Sequence, residues 1–254
     1  MDLVITECCS LKCRDCSNMM QYYQRPEHLT SEEVIRDLSK LLESVHVGEL
    51  KILGGEPFVN SKVLSAVLRF LSQDRGKGVG TINIITNGTI LPDDECVSAL
   101  KLNPKTVVTL SDYGKLSSRK DDIINLCKKN DICYAVEDDT VYWVDFGNPD
   151  KKDLTSGFVR KQYKYCYNRK NCNTLYRGKL YACPRQAHGI RLGLFPDVNG
   201  DYIDLYAPQN NDPENLRREI LGMVRRKEPV DACSYCQYGK YLHITRCVQV
   251  TDEQ

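Results

Sequence analysis

The chain has 254 residues, of which 41% are hydrophobic and 27% charged, with a formal net charge of +1. This composition belongs to a globular chain with room for one large core, or for a core and a small appendage, and excludes a disordered one. No basic tract offers a footprint for nucleic acid. No apolar run approaches the ~20 residues of a membrane helix. Residues 1–6 lack the positive n-region of a secretory signal.

Strands and helices alternate through the first half of the sequence. Residues 3–5 predict a short strand. Thr30-Ser31-Glu32-Glu33 is a capping box opening a helix with Val34, Leu38, Leu41, Leu42 and Val45 at helical spacing. Residues 50–53 predict the second strand, and Val63, Leu64, Val67, Leu68 and Leu71 mark the second helix. Gly76, Gly78 and Gly80 predict a turn. Residues 81–86 predict a strand, 92–102 a helix and 106–110 a fourth strand. Ile123, Ile124 and Cys127 share a helix face, and 132–136 begin a fifth strand. Strand–helix units at ~25–30 residue spacing imply an α/β fold with a parallel sheet and right-handed crossovers. A doubly wound sheet and an incomplete barrel both fit, and in either the loops after the strands carry the chemistry.

After residue 150 the rhythm breaks. Residues 174–181 predict a hairpin around Arg177-Gly178. Asp212-Pro213 predicts a capped helix start, with Leu216, Ile220, Met223 and Val224 facing inward. The expected division is 1–150 and 151–254, the second part a small lobe of hairpin plus helix.

Thirteen cysteines are too many to ignore. A disulfide framework suits small secreted chains, which this is not. The clustered cysteines therefore read as metal ligands, and the expected compartment is reducing and cytoplasmic. Cys9, Cys13 and Cys16 form C-x3-C-x2-C after the first strand. A four-iron cluster takes four thiolates, so three leave one iron open for chemistry. Zinc fits less well, with no fourth ligand nearby. Gly54-Gly55-Glu56-Pro57 follows the second strand: its glycines permit close backbone approach and its carboxylate can accept from an amine. Thr86-Asn87-Gly88 ends the third strand and Ser111 the fourth; each is also readable as a plain turn or strand end.

The string from Thr6 through Cys9, Cys13 and Cys16 resembles the signature of the radical S-adenosylmethionine (radical SAM) superfamily. The resemblance implies a partial (β/α)6 TIM-like barrel for the first part. It implies SAM chelated at the open iron and cleaved reductively to methionine and a 5′-deoxyadenosyl radical. Gly54, Gly55, Glu56 and Pro57 would then serve the SAM amino group, and Thr86, Asn87 and Ser111 its ribose or carboxylate. An external electron donor such as flavodoxin or ferredoxin is implied with it. The residue before the third cysteine, usually aromatic, is Asp15 here, which puts the usual adenine contact at that point in doubt.

Cys166, Cys172 and Cys183 flank the hairpin, and Cys233-Ser234-Tyr235-Cys236 is a second C-x2-C. Four ligands from this group suit zinc or a second 4Fe–4S cluster, and spacing does not separate these. The arrangement resembles the twitch domain, a shortened SPASM domain holding an auxiliary cluster. That resemblance selects Cys166, Cys183, Cys233 and Cys236, with Cys172 in reserve, and leaves too few cysteines for a further cluster.

Cys8, Cys96, Cys127 and Cys133 read as structural, the last three as buried apolar residues. Cys247 is the candidate hydrogen-atom donor to a substrate radical, against a plain strand cysteine. Arg185 and His188 are candidate substrate contacts, against surface or hairpin-supporting roles, and Tyr22 and Tyr23 line a cavity or pack under the cysteine loop. The twitch layout, shared with an aminocyclitol dehydrogenase, points to oxidation of a carbinol with the auxiliary cluster as electron acceptor. Epimerisation of a sugar or peptide through Cys247 is the alternative, and a non-catalytic iron–sulfur electron-transfer protein the remote one. With the sequence beginning at the first strand, the expected substrate is a sugar, aminocyclitol or similar small molecule, with no membrane or nucleic-acid partner.

Overall fold

The computed structural model describes residues 1–137 and 142–250. Its contacts divide the chain into two units: unit 1 is Met1–Leu11 with Arg25–Val141, and unit 2 is Lys12–Gln24 with Tyr142–Gln254. The division thus falls at 141/142, where sequence rhythm suggested 150, and it gives the segment carrying Cys13 and Cys16 to unit 2.

Unit 1 runs β1 (Asp2–Val4), α1 (Ser31–Leu42), β2 (Val47–Leu53), α2 (Ser61–Leu71), β3 (Val79–Thr86), α3 (Asp94–Leu100), β4 (Thr106–Ser111), α4 (Lys120–Lys129) and β5 (Cys133–Glu137). The capping box forms as expected: the Glu33 amide donates to Thr30 Oγ1 at 3.2 Å, and the Thr30 amide donates to Glu33 Oε2 at 2.9 Å. The third helix starts two residues late, because Asp93 rather than Pro92 caps it, accepting from the Cys96 amide at 2.8 Å.

The five strands pair in parallel and in sequential order, with Leu3 opposite Ile52, Ile52 opposite Ile84 and Ile84 opposite Val108. A doubly wound sheet reverses its strand order at a switch point. This order does not reverse, so the winding is that of a barrel arc. The arc has five strands among the described residues rather than the six expected. The next strand, β6 (Trp143–Val144), is only two residues long and pairs antiparallel with β10 (His243–Ile244) in unit 2. Leu3, Ile52, Ile84 and Val108 are buried with Leu38, Leu64, Leu68, Cys96 and Cys127. Cys133 departs from expectation. It lies on β5, the last strand of the arc, whose five residues are all exposed.

Unit 2 continues with α5 (Ser156–Tyr165), α6 (Tyr167–Asn171), β7 (Thr174–Tyr176), β8 (Lys179–Tyr181), α7 (Pro184–Arg191), β9 (Tyr202–Asp204) and α8 (Pro213–Arg225). It is larger than hairpin plus helix. The hairpin turns on Arg177 and Gly178, both at positive φ (48° and 74°), as a two-residue turn of the right twist requires. β9 adds a third antiparallel strand to β8. In α8, Leu216 and Ile220 are buried as expected, but Val224 is exposed on the last turn. Helix α7 contains Pro184 and Gly189, poor helix formers. It packs because a Cβ at Gly189 would stand 2.3 Å from the Phe195 ring, so only glycine admits that ring. Phe195 joins Met19, Ala182, Val230 and Ala232 in a buried cluster. No helix among the described residues is long and apolar enough to cross a membrane.

Candidate functional site

In unit 1 the turn after β2 meets the start of the cysteine loop by backbone. The Gly55 amide donates to the Thr6 carbonyl at 3.0 Å and the Glu56 amide to the Cys8 carbonyl at 2.9 Å. A Cβ on Gly54 would lie 2.2 Å from the Thr6 oxygen, and one on Gly55 2.2 Å from the Cys8 oxygen. The glycines thus let two segments of this chain touch, in addition to whatever ligand they approach.

Glu56 is fully buried. Its carboxylate accepts from Phe58 N at 3.2 Å, Thr86 Oγ1 at 2.9 Å and Asn87 N at 2.8 Å. Pro57 opens the short turn that this carboxylate caps. Burial pushes the Glu56 carboxyl up to about 7, against the three donors, which pull it down. Asn87 continues the network. Its Nδ2 lies 3.7 Å from Cys9 Sγ and donates to Ser10 Oγ at 3.1 Å, while its Oδ1 accepts from the Thr89 amide at 3.0 Å. The same Asn87-Gly88 is therefore both a turn, with Gly88 at φ 74°, and a side chain aimed at Cys9. Ser111 stands apart from this network, donating to Glu137 Oε2 at 3.2 Å. Ser10 and Thr89 were not singled out in the sequence; the signal for Thr89 was its place two residues after a turn asparagine.

In unit 2 the other loop cysteines meet the tail. Cys13 Sγ lies 3.2 Å from Cys247 Sγ, and Gln249 Nε2 is 3.4 Å from each sulfur. The Arg14 amide donates to the Val248 carbonyl and the Val250 amide to the Lys12 carbonyl, both at 2.7 Å. Burial raises the Cys16 thiol to about 11. Asp15, the departure from the signature, is paired with Arg14 at 3.0 Å.

Cys166, Cys183, Cys233 and Cys236 line one small cavity together with Phe146, Tyr163 and Arg185; Cys172 is not part of that lining. Burial raises the Cys166 thiol to about 11 and those of Cys183 and Cys233 well up, and neighbouring sulfurs push these three further in the same direction. Cys183 also caps α7, its Sγ accepting from the Gln186 amide at 3.5 Å. The four thiols supply the donor type and number of an iron–sulfur cluster, but among the described residues no three His, Cys, Asp or Glu side chains stand grouped closely enough to hold a metal ion. Arg185 and His188 are both buried, not surface residues. His188 Nδ1 pairs with Tyr23 OH at 2.8 Å, so Tyr23 packs inside. Tyr22 lines a second cavity, with Arg14, Gln21 and Arg185.

Residues 3–111 match the Radical SAM superfamily. Over 90 residues the chain is 36% identical to "GTP 3′,8-cyclase" of Erythrobacter litoralis (strain HTCC2594), a stretch covering 35% of this chain and 26% of that protein. Over 89 residues it is 36% identical to "Molybdenum cofactor biosynthesis protein 1" of Dictyostelium discoideum, covering 34% of this chain and 14% of that protein. The matched stretch thus spans about a quarter or less of these relatives. A solved structure, "Native anSMEcpe with bound AdoMet", matches with a TM-score of 0.43 at 18% identity, over 53% of this chain and 42% of that chain. The chain carries a radical SAM domain.

Proposed function

We propose that this chain, with its radical SAM domain, is an enzyme that removes a hydrogen atom from a small hydroxylated substrate and oxidises the carbinol to a carbonyl. The observation that carries the reading is that Cys166, Cys183, Cys233 and Cys236 all line one cavity. In net terms a hydrogen atom, an electron and a proton leave H–C–O–H, and C=O remains. When bound, SAM and its three-cysteine cluster supply the 5′-deoxyadenosyl radical that takes the hydrogen atom, and the auxiliary cluster takes the electron.

The chain's own residues have definite work in this scheme. Cys9, Cys13 and Cys16 would hold the first cluster, and the four cavity cysteines would hold the second. Asn87 points a side-chain N–H at Cys9 Sγ, a contact of the kind that tunes a cluster's potential. Glu56 and the glycines before it fix the backbone on which Cys9 stands. Their buried hydrogen bonds make the amine-binding turn rigid, so that Gly54, Gly55 and Pro57 present backbone to the methionyl end of SAM, with Thr86 and Ser111 at the ends of neighbouring strands. Cys247 is buried against Cys13 rather than open to a substrate, which favours oxidation over epimerisation through that thiol.

The name "GTP 3′,8-cyclase" carried by sequence relatives favours a second reading, in which the substrate is a guanosine nucleotide and the product a cyclised one. Both readings meet one experiment. The chain is reconstituted anaerobically with iron and sulfide, both are counted, and 5′-deoxyadenosine is assayed after SAM and dithionite. About eight irons per chain, from two four-iron clusters, with deoxyadenosine formed, is the expected result. About four irons would remove the electron acceptor and with it the oxidation. Consumption of GTP in the same mixture would select the second reading.

A further inference from the structure

The polar cavity of unit 2 has a volume of about 340 Å³, within the range of small-molecule sites. Its charges are almost all committed. Arg14 pairs with Asp15 at 3.0 Å. Asp145 accepts from Gln237 Nε2 at 2.5 Å and from the Gly147 amide at 2.6 Å. Arg185 is the exception. It is only 4% exposed, and its guanidinium lies 5.4 Å from the Phe146 ring centre. Nη2 donates to the Gly147 carbonyl at 3.0 Å, while Nε is buried with no acceptor. Among the described residues no carboxylate pairs with it. A desolvated guanidinium with an unmet N–H is costly and calls for an anion. Gln21, on the same lining, has the complementary lack. Its Nε2 donates to the Arg14 carbonyl, and its Oε1 is buried with no donor.

We propose that this cavity binds a small hydroxylated anion, its carboxylate or phosphate oxygens on Arg185 and a hydroxyl donating to Gln21 Oε1. Two walls give the site its meaning. Arg14 and Asp15 stand between Cys13 and Cys16 in the chain, and Arg185 stands two residues past Cys183. A ligand here touches residues next to ligands of both expected clusters. As the substrate pocket this deepens the carbinol reading and rests on it; as an anion site it does not. Arg185 favours carboxylate and phosphate alike because its fork matches both. Tyr22 offers a neutral hydroxyl beside it.

The test is calorimetric titration of the anaerobic, iron-loaded full chain with glucose 6-phosphate, glucuronate, glucose and sulfate. The two sugar anions are expected to bind at least about tenfold more tightly than glucose. Binding of one sugar anion alone supports the site and identifies its anion as phosphate or carboxylate. Arg185→Gln should weaken the anions about 10- to 100-fold, with Arg185→Lys recovering part. Gln21→Ala should weaken the sugar anions about three- to tenfold and leave sulfate, which has no hydroxyl to donate, unchanged. Glucose binding as well as glucuronate, or Arg185→Gln leaving anion affinity intact, overturns the proposal. So does an Arg185→Gln chain that keeps its anions but changes the electron paramagnetic resonance of its second cluster, since the guanidinium would then be that cluster's counter-charge. If Arg185→Gln does not fold, Gln21→Ala and the four-ligand comparison still decide. Deoxyadenosine formation is scored separately. Its absence beside sound anion binding would sink the carbinol reading and leave the site.

Discussion

Around Glu56 in unit 1, a buried carboxylate meets three donors of its own chain, whereas around Cys183 in unit 2 four half-buried thiols line one cavity with Arg185, whose Nε has no acceptor among the described residues. The first centre has its geometry before any ligand arrives. The second holds groups whose desolvation is offset only by an occupant. One region is therefore organised by hydrogen bonds and the other by what it binds, and perturbations should separate them.

The largest expected effect is on the closed network. Glu56→Ala strands the Phe58 and Asn87 amides, at about 1–3 kcal/mol each. Urea titration should show a loss of about 2–5 kcal/mol, and a loss within noise would mean the network organises nothing.

The pH dependence has a definite sign. Burial raises the folded carboxyl of Glu56 to about 7, from 4.5 for the free group. The folded state therefore holds the proton more tightly. Its contribution is fully present below the unfolded value and is lost as pH rises through about 7. At 1.36 kcal/mol per unit the loss is about 3 kcal/mol. Glu56→Gln should flatten that slope; an unchanged slope would assign it to other groups.

In unit 2, Gly189→Ala should cost about 1–3 kcal/mol by forcing the Phe195 ring aside. A neutral result in thermal melts would show that the ring moves freely. Removing iron from the loaded chain gives the most direct contrast. Amide exchange in α5 and α7 should accelerate about tenfold or more, while β2, β3 and β4 stay within about twofold. Equal acceleration in both units would erase the distinction. The smallest effect is expected for Cys247→Ala, about 1 kcal/mol or less, since a thiol–thiol contact is weak. A larger loss confined to the iron-loaded chain would make Cys247 part of the cluster's environment.

The strand–helix alternation of unit 1 was legible because apolar periodicity and capping are local. Thr30 and Glu33 lie three residues apart and announce α1 without help from the rest of the fold. Helix α7 was not legible, because its reason is a ring from Phe195 filling the space of a missing Cβ at Gly189. The depth of Glu56 was hidden for a similar reason: its donors come from positions 86 and 87, on another strand. Cys133 misled because its strand pattern carries no sign that β5 ends the arc. The resemblance to the twitch domain, not spacing alone, chose Cys166, Cys183, Cys233 and Cys236, which line one cavity, and Cys172, held in reserve, is not on that lining.

The pairing of the loop with the tail ties the protein's assembly to a clock. Cys13 and Cys247 are 234 residues apart in the chain, yet their sulfurs touch and their flanking backbones pair. A ribosome adding roughly 5–20 residues per second needs about 10–50 s to cover that interval. Throughout it, the loop thiols stand in the cell without the segment that buries Cys13. The tail covers Cys13 only once residue 247 has been made and has folded back onto the loop.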